Sequence, residues 1–105
     1  MVPPSRDGRE GEVDDESIRI LVLDRGWVVV GVCPHPSTVG MWLPVRGGRV
    51  IRRWGTTRGI EEIAAKGPLS NTVLDDPAVE QSVPVRAIIR VIEVEASKWA
   101  KHIKA

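Results

Sequence analysis

Two nearly continuous apolar runs, Ile18 to Leu23 and Trp27 to Cys33, stand only a short polar break apart. The break, Asp24-Arg25-Gly26, has the composition of a tight turn, so the pair reads as a β-hairpin. Neither run alternates with polar residues as a half-exposed strand would, which predicts cover on both faces. The chain has four Trp and neither Phe nor Tyr. Its interior must therefore be filled by Val, Ile, Leu and Ala, and the many valines favour strands. At 105 residues there is length for one core and not for two.

Beyond the hairpin, Pro34 to Thr38 reads as a loop by its prolines. Met41 to Val45 and Arg49 to Trp54 then read as a second hairpin across Arg46-Gly47-Gly48. The period changes at Ile60, Ile63 and Ala64, which recur at helical spacing. Thr56 or Thr57 is placed to cap that helix, Glu61 and Glu62 complement its dipole, and Gly67-Pro68 stops it. Leu69 to Gln81 is irregular, with a brief strand at Thr72 to Leu74. Ser82 to Val94 reads as one long strand, with Val83, Val85, Ala87, Ile89 and Val91 on one face and Arg86, Ile88, Arg90 and Ile92 on the other. The chain closes with an amphipathic helix, Ala96, Trp99, Ala100 and Ile103 facing Lys98, Lys101 and Lys104. The expected fold is a single α+β domain over residues 18–105: a twisted, mostly antiparallel sheet of about five strands, one short helix and a C-terminal amphipathic helix.

Charge is distributed unevenly. The first 17 residues hold two Arg and six acids, a balance of −4, while the remainder holds thirteen basic residues against eight acids, a balance of +5. The leader, residues 1–17, is too polar to offset its ordering entropy and reads as a flexible, solvated tail. Any part of it that orders is expected to pack on basic surface. The single cysteine, Cys33, allows no internal disulfide and reads as a small buried hydrophobe. No run of about 18 apolar residues is present and the N-terminus lacks a signal-peptide layout, so no membrane partner is expected and the default compartment is the cytoplasm.

The basic charge concentrates between Arg46 and Arg58, a stretch with five Arg, one Trp and two Thr and no acid. The acid-free window extends further, from Asp24 to Glu61. On a strand, Arg49, Ile51 and Arg53 share one face and Val50, Arg52 and Trp54 the other. Charged edge strands protect against sheet-to-sheet aggregation. Guanidinium forks also match phosphate geometry, and an indole offers a stacking face for a base. Together with Thr56 and Thr57 at the expected helix start, this makes Arg46, Arg49, Arg52, Arg53, Trp54, Thr56, Thr57 and Arg58 the candidate site for an anionic partner. That partner is a nucleic acid, a nucleotide-like ligand or an acidic protein surface. The corner from Trp54 to Arg58 is where most donors converge.

Signatures of catalysis are sparse. There is no Walker loop, no dinucleotide-binding glycine motif and no nucleophile elbow. His35-Pro36-Ser37 matches the H-x-[ST] unit of two-histidine phosphoesterases, but the other histidine, His102, is followed by Ile103-Lys104 and supplies no second unit. Cys33 and His35 lack further ligands for a metal, and Asp75-Asp76 reads as a turn former. Neither catalytic activity nor a cofactor is expected.

From Ile18 onward the layout resembles a family of short proteins encoded by bacteriophages and prophages. The resemblance rests on the Val/Ile-rich opening hairpin and on Arg49-Val50-Ile51-Arg52-Arg53-Trp54 running into a Gly/Thr turn. The short helix at Ile60-Glu61-Glu62-Ile63-Ala64 and a closing strand from Val83-Pro84-Val85 to Val91-Ile92-Glu93 complete it. The family strand is richer in aromatics, where this chain carries Arg52 and Arg53. What the resemblance implies is phage or prophage origin, with no particular reaction. The expected function is a non-enzymatic accessory module that forms homo-oligomers. The alternatives are a structural virion component built on subunit contacts and a small phosphoesterase using His35.

Overall fold

A computed structural model of the protein describes residues 16–56 and 58–103. Thr57, Lys104 and the leader before Glu16 lie outside the described residues. Six strands are formed: β1 (Ser17–Leu23), β2 (Val28–Cys33), β3 (Trp42–Arg53), β4 (Val73–Leu74), β5 (Glu80–Pro84) and β6 (Ile88–Glu93). Two short helices, α1 (Ile60–Lys66) and α2 (Ala96–Trp99), complete an α+β domain. All strand pairs are antiparallel, in the order β4-β3-β2-β1-β6, with β5 also paired to β3.

The sheet is rolled. The N–H groups of Asp75 and Ala78 donate to the carbonyls of Val50 and Gly48, and that of Gly47 to Val79. The chain from β4 to β5 therefore follows one edge of β3. β5 and β6 then sit at opposite ends of the series β5-β3-β2-β1-β6, about 19 Å apart if the sheet were flat. Yet only the 3-10 turn Val85–Ala87 joins them, and three such residues rise about 6 Å. The end strands must curl towards each other, giving a partly closed barrel.

Rolling produces two cores, which is why the opening strands are apolar on both faces. Inside the roll, Leu21, Val29, Cys33, Leu43, Val45 and Val83 pack together. Outside it, Ile20, Val28, Val30 and Ile51 are covered by Ile60, Ile63 and Ala64 of α1 and by Trp99 and Ile103. Trp99 is fully buried, and its Nε1 donates to the Ile63 carbonyl at 2.8 Å. The helices meet at Gly67, which ends α1 at φ 84°. A Cβ there would lie 2.8 Å from the Lys98 carbonyl oxygen, so a side chain would drive the helices apart.

Four expectations are corrected. Arg46-Gly47-Gly48 is not a hairpin turn, because β3 runs through it as one strand. Gly47 takes φ 61°, and between Val30↔Arg49 and Val32↔Arg46 the register slips by one residue. This is a glycine bulge, which explains how Val45 and Val50, an odd number apart, both pack into the inner core. The long strand Ser82 to Val94 is broken by the Val85–Ala87 turn, and a second register shift lies between Val22 and Leu23 on its partner β1. As a result Ile88 joins Val83, Val85 and Val91 in the inner core, while Ile89 is exposed. The C-terminal amphipathic helix is one turn of α2 followed by the 3-10 turn Ala100–His102. Trp99 and Ile103 are buried, but Ala96 and Ala100 are exposed. Finally, Thr56 does not cap α1, whose N-cap is Gly59 at φ 94° with no side-chain cap; Thr57 lies outside the described residues.

Candidate functional site

The bulge and the β3–α1 loop decide where the basic side chains go. Arg46 lies before the bulge and Arg53 seven positions later, about 20 Å along the strand, so the candidate residues do not form one cluster. The acid-free window is also filled in space from elsewhere. Arg46 pairs with Glu16 at 2.6 Å and Arg52 Nε with Asp75 at 2.5 Å. The Glu16 contact shows the end of the acidic leader seated on basic surface. Arg49 is half-buried on the helix-covered face beside Ile51. Its Nε donates to the Asp75 carbonyl at 2.6 Å and one terminal nitrogen to the His102 carbonyl at 3.2 Å. Those bonds tie β3 to the chain after β4 and to the C-terminal turn.

At the corner, Thr56 closes the loop by donating its hydroxyl to the Gly59 carbonyl at 2.8 Å. The helix begins four positions after Thr56, at Ile60, and spans seven residues, so the loop presents no helix N-terminus near Trp54. The Trp54 carbonyl accepts from the Thr72 hydroxyl at 2.5 Å. Gly55, at φ 68°, lies so close to Asn71 that a Cβ would fall 2.3 Å from its carbonyl carbon. These contacts hold the corner in place and leave its side chains outside. Arg53 and Arg58 are exposed, Trp54 is 40% exposed, and neither arginine has an ion pair among the described residues.

Sequence reasoning missed the other half of this surface. Val29 pairs with Val50; continuing that register sets Trp27 across from Arg52. Both line a cleft of about 300 Å³ with Arg25, over a floor that includes Val28, Val50 and Ile51. Trp27 is 57% exposed. Arg25 is exposed, without an ion pair among the described residues, and sits in the left-handed region at φ 62°, ψ 19°. The register that brings Trp27 beside Arg52 depends on the bulge at Gly47, so counting along the sequence would not have given it. The turn composition of Asp24-Arg25-Gly26 carried no such signal.

His35 has a local job. Its Nδ1 accepts from the Ser37 N–H at 3.1 Å, capping the 3-10 turn Pro36–Thr38, which requires Nδ1 to be unprotonated in that contact. Cys33 is buried, and burial first of all raises its thiol pKa, with the Arg19 charge and hydrogen bond acting against that. Arg19 itself donates to the Cys33 carbonyl at 2.6 Å and to Glu93 at 2.7 Å. No helix among the described residues is long and apolar enough to cross a membrane.

Fold and surface together define a small rolled-sheet domain carrying arginines and exposed tryptophans at one end of β3. Comparison with protein-family models, curated proteins and solved structures returns no match.

Proposed function

We propose that the protein is a non-enzymatic accessory module that binds an anionic partner at the end of the barrel formed by Arg25, Trp27, Arg52, Arg53, Trp54 and Arg58. The observation that supports this reading is Arg25, Trp27 and Arg52 lining one cleft, with exposed Arg53, Trp54 and Arg58 next along the chain and with Arg25, Arg53 and Arg58 without acid partners among the described residues. Arginine forks suit phosphate and carboxylate groups. The Arg52–Asp75 pair lies at the surface, with the Arg52 side chain 68% exposed, so an incoming anion displaces little. Phage or prophage origin belongs to the same proposal and rests on the resemblance alone.

The test is titration with an oligonucleotide and with inorganic polyphosphate. The double substitution Arg53→Gln, Arg58→Gln is expected to weaken both by roughly five-fold or more, whatever the base sequence. Arg46→Gln, at a residue about 20 Å along β3 from Arg53 and paired with Glu16, is the control and should leave affinity unchanged. Equal losses in both variants would refute a localised site.

A second reading, a structural component that self-associates, is favoured by exposed Met41 and Trp42 along a neighbouring groove of about 690 Å³ that Asp24 also lines. A monomer in sedimentation velocity excludes it.

A further inference from the structure

Resting on the anion-binding reading above, we infer that the cleft takes an unpaired base and its phosphate from a single-stranded nucleic acid, with Trp27 as the stacking platform. The cleft places an aromatic face and two cations within one small volume: Trp27 is 57% exposed at its edge, and Arg25 and Arg52 line the same walls. Its volume of about 300 Å³ falls at the lower end of small-ligand sites, suited to one flat ring system. Arg52 engages Asp75 through Nε, which leaves its terminal amino groups for a phosphate oxygen. Trp54, 40% exposed, follows directly after the end of β3 at Arg53, two residues on from Arg52. A second base can therefore follow the first along the surface.

The chemistry separates this ligand from its competitors. An acidic polypeptide such as polyglutamate would satisfy the arginines but has no flat ring to stack on the indole face. A duplex keeps its base faces inside the stack, so Trp27 could not reach them. An unpaired strand uses both, since every base has a π-face and every nucleotide a charge. Arg25 adds a further indication. A non-glycine residue in the left-handed region is unfavourable by about 1 kcal/mol, and a turn of this kind is readily made by Gly or Asn. Strained residues gather where a side chain is needed.

The experiment compares six probes by fluorescence titration at fixed moderate salt: a deoxyribo-oligonucleotide, the matching ribo-oligonucleotide, its duplex, a mononucleotide, polyphosphate and polyglutamate. A single strand, of either sugar, is expected to bind at least ten-fold more tightly than the rest. Which sugar is preferred identifies DNA or RNA as the source. Trp27→Ala should lose on the order of ten-fold for the single strand and nothing for polyphosphate, while Trp42→Ala, at an equally exposed tryptophan outside the cleft, should lose nothing. Arg25→Gly should weaken single-strand binding without lowering the melting temperature, which shows that the loss is not unfolding. Duplex or polyphosphate bound as tightly as the single strand overturns the inference and leaves the anion-binding reading standing. Preference for polyglutamate overturns it in favour of an acidic protein. A mononucleotide matching the oligomer overturns the strand and leaves a nucleotide site. Failure of every polyanion to bind overturns both readings.

Discussion

Five arginines between Arg46 and Arg58 look alike in sequence and do different work in the folded chain. Arg49 is spent on structure: its guanidinium satisfies the backbone carbonyls of Asp75 and His102, and nothing nearby replaces it. Arg49→Ala should lower stability by about 2 kcal/mol, because charged hydrogen bonds to half-buried carbonyls are lost. Urea denaturation measures that loss. Polyanion affinity of the folded variant should stay within about two-fold of wild type. Unchanged stability with lost affinity would instead put Arg49 in the binding surface. The side chains of Arg53 and Arg58 show the opposite profile, open to solvent and without a hydrogen bond or ion pair among the described residues. Alternation along β3 was legible and correctly separated Arg49 and Ile51 from Val50. What could not be read was the partner of each charge, because Glu16 and Asp75 reach Arg46 and Arg52 from distant parts of the chain.

At the scale of elements, those set by local chemistry were legible and those set by closure were not. The first hairpin follows from its apolar runs and turn, and α1 from helical spacing and its Gly67 stop. The bulge at Gly47 and the break at Val85–Ala87 exist because a rolled sheet must bend twice, and two glycines in sequence look the same in a bulge as in a turn. The C-terminal element has a consequence that pH can reveal. His102 packs edge-on to Trp99, with ring centroids 6.1 Å apart at 72°. Its pKa is lowered, first by desolvation and then by the positive charges of Lys101 and Arg49. The unfolded chain accepts a proton on this ring near pH 6.5, while the folded chain accepts it only at lower pH. Between those points the unfolded state holds more protons, so stability falls as pH drops through about 6.5 and is recovered above it. Melting temperatures from pH 7.5 to 5.5 should fall more steeply for wild type than for His102→Asn. Parallel curves would show that His102 does not titrate against folding.

For the molecule as a whole, the rolled sheet carries two neighbouring surfaces of different chemistry that meet at Asp24-Arg25. One end of β3 carries Met41 and Trp42, and the other carries the arginines with Trp27 and Trp54. The net charge of +1 gives no hint of this, since the acidic leader nearly cancels the basic body. The strand order and both helices position that basic end without covering it, because α1, Trp99 and Ile103 pack on the outer sheet face around Ile51. The central claim is that this end binds polyanions through its arginines, and counterion release tests it most directly. The logarithm of the association constant for a single strand should fall against the logarithm of salt concentration with a slope of about −2 to −3, as expected for three to four arginine–phosphate contacts. In the Arg53→Gln, Arg58→Gln variant the slope should flatten by about 1.4. A wild-type slope near zero, or one that the double substitution leaves unchanged, would contradict the account.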